Sequence, residues 1–433
     1  MLNNRVLVYK SEIDLSFIQI IPGDWVVIKP NFVTEHKEND SLEWRSVITN
    51  PEIIRTTCEY VAEHLCGKGK ITICDAPQTD SSFTNIINKL GLYEIASECS
   101  KRFSISVDII DLRNEEWVNE QGIITQRNKR QGDPNGSIVF NLGRDSLFFG
   151  FKGEGRYYGA DYDSTVVNQH HQGETQEYLL CATPILADVF INLPKMKTHK
   201  KSGVTLNLKN VVGINAEKNW LPHHSDGSPS IGGDQFPDYS LKRRFEQQAV
   251  KLVRTLSLNV PYIGPKISQE LRKAGILAFG DGSKVIRSGN WYGNDTVWRM
   301  VLDLNRCLLY GNQDGSLRTS PKRYYCLIDG IIGMEGSGPM QGTPVQSNII
   351  IGGIDPVVTD MVAARVMGFD WRKIPMIREA FNLKKLPLTN VLPSEVMVTS
   401  DVPGWNGRFL DIENNTFLNF KPHYGWSGNI EYE

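Results

Sequence analysis

Apolar residues in the first hundred positions fall into two kinds of run. "DWVVIKPNF", "KITICDAP" and "SISVDIIDL" are short apolar runs that read as strands. Residues 51–65 and 82–99, between them, repeat apolar positions with the helical period. Strand, helix, strand, helix is the order of a parallel α/β sheet. From 114 to 159 the chain is richer in Gly, Asn and charge, and "GSIVFNL" and "SLFFGF" predict antiparallel ribbons.

A second series starts near Glu174 with a predicted helix through Cys181, the strand "ADVFINLP" and an irregular polar region over 195–239. Helices over 240–256 and 295–310, strands at "YYCLIDGI" and "NIIIGG", and a helix in "DPVVTDMVAARVMGF" follow. Asp355 and Pro356 suit the N-cap and first turn of that last helix, and Gly368 suits its stop. The expected fold is α/β, with two parallel-sheet lobes around a central cleft and a β-rich C-terminal appendage. The first lobe would span 1–165 with a ribbon insertion. The second, 166–400, would carry a Lys/His segment and Gly-rich loops, and an aromatic, hairpin-like tail would fill 401–433.

Ligands of such sheets sit beyond the carboxyl ends of the strands, and several strands here end in polar residues. Lys29 and Asn31, Asp75, Lys195, Asp329 and Asp355 all stand at such ends. Each alone is explained by turn capping, but together they would line a pocket. "INLPKMKTHKKSGVTLNLKNVVG" adds Lys197, His199, Lys200, Lys201, Lys209 and Asn210, and its apolar second half is unlike a solvated tail. Lysines between a strand end and a partly buried segment suit carboxylate or phosphate oxygens, and a desolvated lysine also suits a nucleophile or base.

Five of the eight histidines (His170, His171, His199, His223, His224) fall between residues 170 and 224. Acidic residues including Asp234 lie nearby, so a divalent metal, an anion site and acid–base chemistry are all open. The loop "DGIIGMEGSGPMQGTP" offers Glu335 and backbone at Gly336 and Gly338 for close approach to a ligand.

Composition narrows the function. Across 433 residues a net charge of −2 argues against nucleic acid as partner. No run approaches the roughly eighteen apolar residues of a membrane span, and the N-terminus lacks a signal-peptide pattern, so a cytoplasmic protein is expected. Seven scattered cysteines, with no C-x2-C pair, give no sign of an iron–sulfur cluster or a disulfide framework. Neither a dinucleotide fingerprint nor a Walker loop occurs, so no nicotinamide or flavin signature is present.

The segments "VVIKPNFV", "ITICDAPQTDSSF", "ADVFINLPKMKTHKKSGVTLNLKNVVGI", "LIDGIIGMEGSGPMQGTP" and "GGIDPVVTDMVAARVMGF" resemble, in order, the family catalogued as domain of unknown function 362. The resemblance covers most of the chain and implies the α/β fold. Some members carry ferredoxin-type cysteine repeats, which are missing here. The "HH" doublets look like those of a bacterial branch associated with clusters for surface polysaccharide or secondary metabolites.

The expected function is an enzyme acting on a small anionic metabolite, such as a sugar phosphate, sugar or carboxylate. His199, Lys195, Asp329 and Glu335 would be catalytic. Lys29, Asn31, Lys197, Lys200, Lys209, Asn210, Gly336 and Gly338 would bind substrate. Asp75, His171, His223, His224 and Asp234 would hold one divalent metal, and Trp405, Tyr424 and Trp426 would stack on a sugar or cover a sheet edge. The alternative is a non-catalytic carrier or sensor using the same pocket.

Overall fold

The structure, a computed structural model, describes residues 4–10, 14–35, 43–120, 123–159, 164–238, 285–413 and 417–432. The helix expected over 240–256 lies outside them. An eleven-stranded sheet forms the centre. Its strands are β1 (Arg5–Tyr9), β2 (Trp25–Pro30), β3 (Lys70–Asp75), β4 (Ser106–Asp111), β5 (Val189–Leu193), β6 (Lys195–His199), β7 (Gly203–Thr205), β8 (Arg323–Glu335), β9 (Thr343–Gly353), β10 (Met397–Ser400) and β11 (Gly407–Arg408).

The spatial order is β11-β10-β1-β9-β8-β5-β2-β3-β4, with β6 joined to β8 and β7 to β6. From β8 through β5, β2 and β3 to β4 all pairings are parallel. The α/β class and mostly parallel sheet agree with the sequence pattern. The residues before and after position 165 share this one sheet instead of each building their own, because β5 enters between β2 and β8.

Strand alternation divides the interior in two. Val26 and Ile28 of β2, Val189 and Ile191 of β5, and Tyr325 and Leu327 of β8 pack with the helices α1 (Pro51–Leu65), α2 (Phe83–Leu90) and α3 (Leu92–Phe103). Val27, Phe190, Cys326 and Ile328 face the opposite way, toward α5 (Val297–Tyr310) and α6 (Pro356–Val366). Between these lies the one-turn helix α4 (Asn207–Asn210).

Asn50 caps α1 through its side chain, with Pro51 in the first turn, and Asp355 caps α6 in the same way. The helix expected over 82–99 is broken at Gly91, whose φ of 61° ends α2 and starts α3. Residues 175–181 form a strand, not a helix, because they pair antiparallel with Ser137–Asn141 and their burial alternates. "SLFFGF" folds as turns, with Phe148 and Phe151 packed against Tyr157.

At the far edge, β10 pairs parallel with β1, and β11 turns back on β10. The tail therefore extends the sheet past β1. Trp405 is 2% exposed and Trp426 1%, so neither presents a face to a sugar. Trp426 donates through Nε1 to the Lys200 carbonyl at 2.9 Å and lies against Gly203, where a Cβ would come within 3.1 Å of its ring. Tyr424 donates to the Val285 carbonyl at 2.7 Å.

Candidate functional site

A cleft of about 450 Å³ opens at the carboxyl ends of β2, β3 and β6. Its floor begins with the polar ends of adjacent parallel strands. Lys29 Nζ is 2.7 Å from Asp75 Oδ1 and donates to the Pro30 carbonyl at 3.0 Å and to Asn210 Oδ1 at 3.2 Å. The last two are hydrogen bonds, and the contact with Asp75 Oδ1, an oxygen with no hydrogen-bond partner among the described residues, is an ion pair. Asn31 Nδ2 donates to the same Asn210 Oδ1 at 2.9 Å, and Asn210 Nδ2 to Asn192 Oδ1 at 2.7 Å. A Cβ at Gly213 would stand 2.2 Å from Asp75 Oδ1 and 2.7 Å from Lys29 Nζ, so only glycine lets the chain cross this ion pair.

The other cations come from the polar stretch after β6. Lys200, Lys201, Lys209 and Lys218 line the cleft with Lys29, against Asp75 and Asp80. Lys209 sits on α4, which Asp360 of α6 anchors by accepting from Asn207 N (2.8 Å), Asn207 Nδ2 (2.9 Å) and Leu208 N (2.9 Å). Lys218 donates to the Pro77 carbonyl, and Lys201 Nζ lies 3.3 Å from His224 Nδ1. Among the described residues, no acceptor or carboxylate partners the Nζ of Lys200 or Lys209. Burial, with Lys218 and Lys29 nearby, brings Lys209 down to about 8, and burial with Arg113 nearby brings Lys218 to about 8.

Two imidazoles face the cleft with opposite polarity. His199 Nδ1 accepts from the backbone N–H groups of Lys201 (3.1 Å) and Ser202 (3.2 Å), so its proton sits on Nε2. His223 Nδ1 lies 2.8 Å from the Leu221 carbonyl, which only a protonated Nδ1 can satisfy, leaving a lone pair on Nε2. Burial and the surrounding lysines hold both rings neutral, His199 well below its usual value and His223 at about 3. One ring presents a donor and the other an acceptor. Trp117 and Ile124, with Pro339 and Met340, supply apolar wall.

The structure thus brings together Lys29, Asn31, Asp75, His199, Lys200, Lys209, Asn210 and His223. It places the remaining candidates elsewhere. Lys195 and Asp329 form a buried pair at 2.7 Å, and Asp329 also accepts from Asn50 N at 2.7 Å. Lys197 is enclosed, donating to Asn31 Oδ1 and the Val47 carbonyl, each at 2.7 Å. Glu335 accepts from Lys421 N at 2.9 Å and so holds the tail. Gly336 and Gly338 shape the loop: Gly336 accepts from Thr198 Oγ1 (2.9 Å) and Gly338 from Lys200 N (3.2 Å). A Cβ at Gly338 would meet the Thr198 carbonyl at 2.0 Å.

The expected metal ligands do not converge. His171 is buried among Phe148, Tyr157 and Tyr178 and bonds the Trp220 carbonyl through Nε2 at 2.7 Å. His224 stacks on Tyr158. Asp234 accepts from Ser225 N (2.6 Å), Asp295 N (2.8 Å) and Thr296 Oγ1 (2.6 Å). Among the described residues, no group of three His, Cys, Asp or Glu side chains is placed to hold a metal ion.

Sequence reasoning missed Lys218 and Gly213 and did not assign Lys201 to the site. The only signal was position: Gly213 ends the lysine stretch, and Lys218 lies between it and the second histidine doublet. Among the described residues no helix is long and apolar enough to cross a membrane. The family model described as Domain of unknown function (DUF362) matches residues 26–130 and 116–365. No curated protein and no solved structure matches the chain.

Proposed function

The chain belongs to the DUF362 family, and we propose that it is an enzyme acting on a small anionic metabolite in this cleft. The observation that carries the reading is the excess of cleft cations, with Lys200 and Lys209 lacking a partner among the described residues. Unpaired ammonium groups at a partly enclosed site are costly until an anion arrives, so an anion gains both charge and hydrogen bonds there. A phosphate, or a carboxylate with further oxygens, suits the four lysines that line the cleft from the turn after β6, from α4 and from the turn at Lys218.

Acid–base work falls to the two imidazoles. His199 Nε2–H would donate to an oxygen that gains charge, and His223 Nε2 would accept a proton. Asp75 would act through Lys29, as a positioning residue. A proton acceptor held at about 3 by burial and the nearby lysines is weak. That observation favours a second reading, a non-catalytic carrier or sensor using the same lysines. A bound anion offsets the lysine charge that depresses His223, so the enzyme reading requires its proton affinity to rise on binding.

A thermal-shift screen of sugar phosphates, nucleotides and carboxylates, followed by product analysis of every stabilising compound, tests both. Conversion that His223→Gln abolishes while binding persists supports the enzyme. Binding without conversion leaves the carrier, and no stabilisation by any anion removes both.

A further inference from the structure

We infer that Lys209 is an amine nucleophile that forms an imine with a carbonyl-bearing anion, such as a 2-oxo carboxylate or a phosphorylated aldehyde or ketone. This rests on the anion-site reading above and names the substrate class and the covalent step.

Compare the lysines of the region. Lys29 is ion-paired with Asp75 and donates to Pro30 and Asn210. Lys195 is held by Asp329, and Lys197 by Asn31 and Val47. Lys218 is engaged by the Pro77 carbonyl. Lys209 lines the cleft without such an engagement among the described residues, yet its backbone is fixed, because Asp360 grips the start of its one-turn helix. Two flanking cations, Lys29 and Lys218, favour its neutral form, as does burial, and its proton affinity of about 8 fits that environment. Lys200, Lys201 and Lys218 line the same cleft as further cations, so the anionic group of such a substrate has positive charge beside Lys209.

The imidazoles complete the set. His199 offers an N–H to the carbonyl oxygen, and His223 offers a lone pair to a proton leaving the attacking nitrogen. The step balances without any redox partner. The Lys209 ammonium and the carbonyl compound give a protonated imine and one water: the C=N bond replaces C=O, and both hydrogens of the water come from the ammonium. The imine nitrogen then withdraws electrons from the adjacent carbon, which eases loss of a proton there.

The test uses the full chain and pyridoxal 5′-phosphate, an aldehyde carrying a phosphate, trapped with sodium borohydride and mapped by peptide mass spectrometry. At pH 7.5 a lysine near 8 has on the order of a hundred times more free amine than an ordinary one, and Lys209 is not held by a carbonyl as Lys218 and Lys322 are, so Lys209 should be labelled first. Pyridoxal without the phosphate should label it more slowly, and inorganic pyrophosphate should protect it. Lys209→Arg, which keeps a cation and removes the nucleophilic amine, should lose the fast label; Lys209→Ala, a second variant if the arginine distorts the cleft, should lose the label and also weaken pyrophosphate binding. Label distributed evenly over exposed lysines, with pyrophosphate still bound, overturns the imine and leaves the anion site standing. Absence of both selective label and pyrophosphate binding overturns both.

Discussion

Lys195 and Lys197 lie within six residues of Lys200 and Lys201, yet the two pairs have opposite surroundings. The first pair is buried, and its protons go to Asp329, Asn31 and Val47. Lys200 and Lys201, with Lys209 further along, line a cleft where positive charge exceeds negative. The first group ties β6 to its surroundings, and the second is the group proposed to meet a ligand. A run of like charges can therefore be half scaffold and half site, divided where the strand emerges from the sheet at His199.

The comparison breaks most directly by exchanging the expected losses. Lys195→Ala leaves Asp329 charged and buried without its partner, and should cost about 3–5 kcal/mol of stability in denaturant unfolding. Lys209→Met should cost none, since it removes a buried charge and keeps an apolar chain. Equal losses would show that both groups are scaffold.

Gly213→Ala addresses the boundary between the groups. Its Cβ would strike Asp75 and Lys29, so a loss of about 1–3 kcal/mol is expected, together with weaker anion binding. Unchanged stability would mean that the ion pair moves aside freely.

Per pH unit, the smallest effect is pH dependence. Lys209 and Lys218, at about 8 when folded and near 10.5 when unfolded, make the unfolded chain bind more protons between those values. Stability of the ligand-free protein should therefore rise from pH 8 toward 10.5, by at most about 1.4 kcal/mol per pH unit for each lysine. Lys322, brought by burial to about 7, adds a rise of the same sign, so the diagnostic is the smaller slope of Lys209→Met in thermal melts. Anion affinity should fall over the same range, opposite in sign. Slopes that match between the variant and the natural protein would place Lys209 in open solvent.

Much of this was legible in the sequence. The strands ending at Lys29 and Asp75, helix α1 and the capped start of α6 follow from apolar period and end residues, which act locally. The parallel sheet and the cleft at its carboxyl edge follow from their order. Partner choice did not follow: nothing near Lys195 names Asp329, 134 positions away, as its acceptor. The strand over 175–181 was hidden because its pattern fits a helix until Ser137–Asn141 pairs with it. Of the histidine cluster, His171 and His224 turn into aromatic packing, while His199 and His223 reach the cleft with tautomers set by backbone groups that no sequence pattern reveals.

The central claim is that the cleft lysines, not the buried ones, bind an anion. Isothermal titration of pyrophosphate at pH 7 into the natural protein and Lys209→Met tests it directly. One site is expected, weakened about ten- to a hundredfold in the variant, the range for loss of a charged hydrogen bond. Equal affinity in the two proteins, or no binding to either, would contradict it.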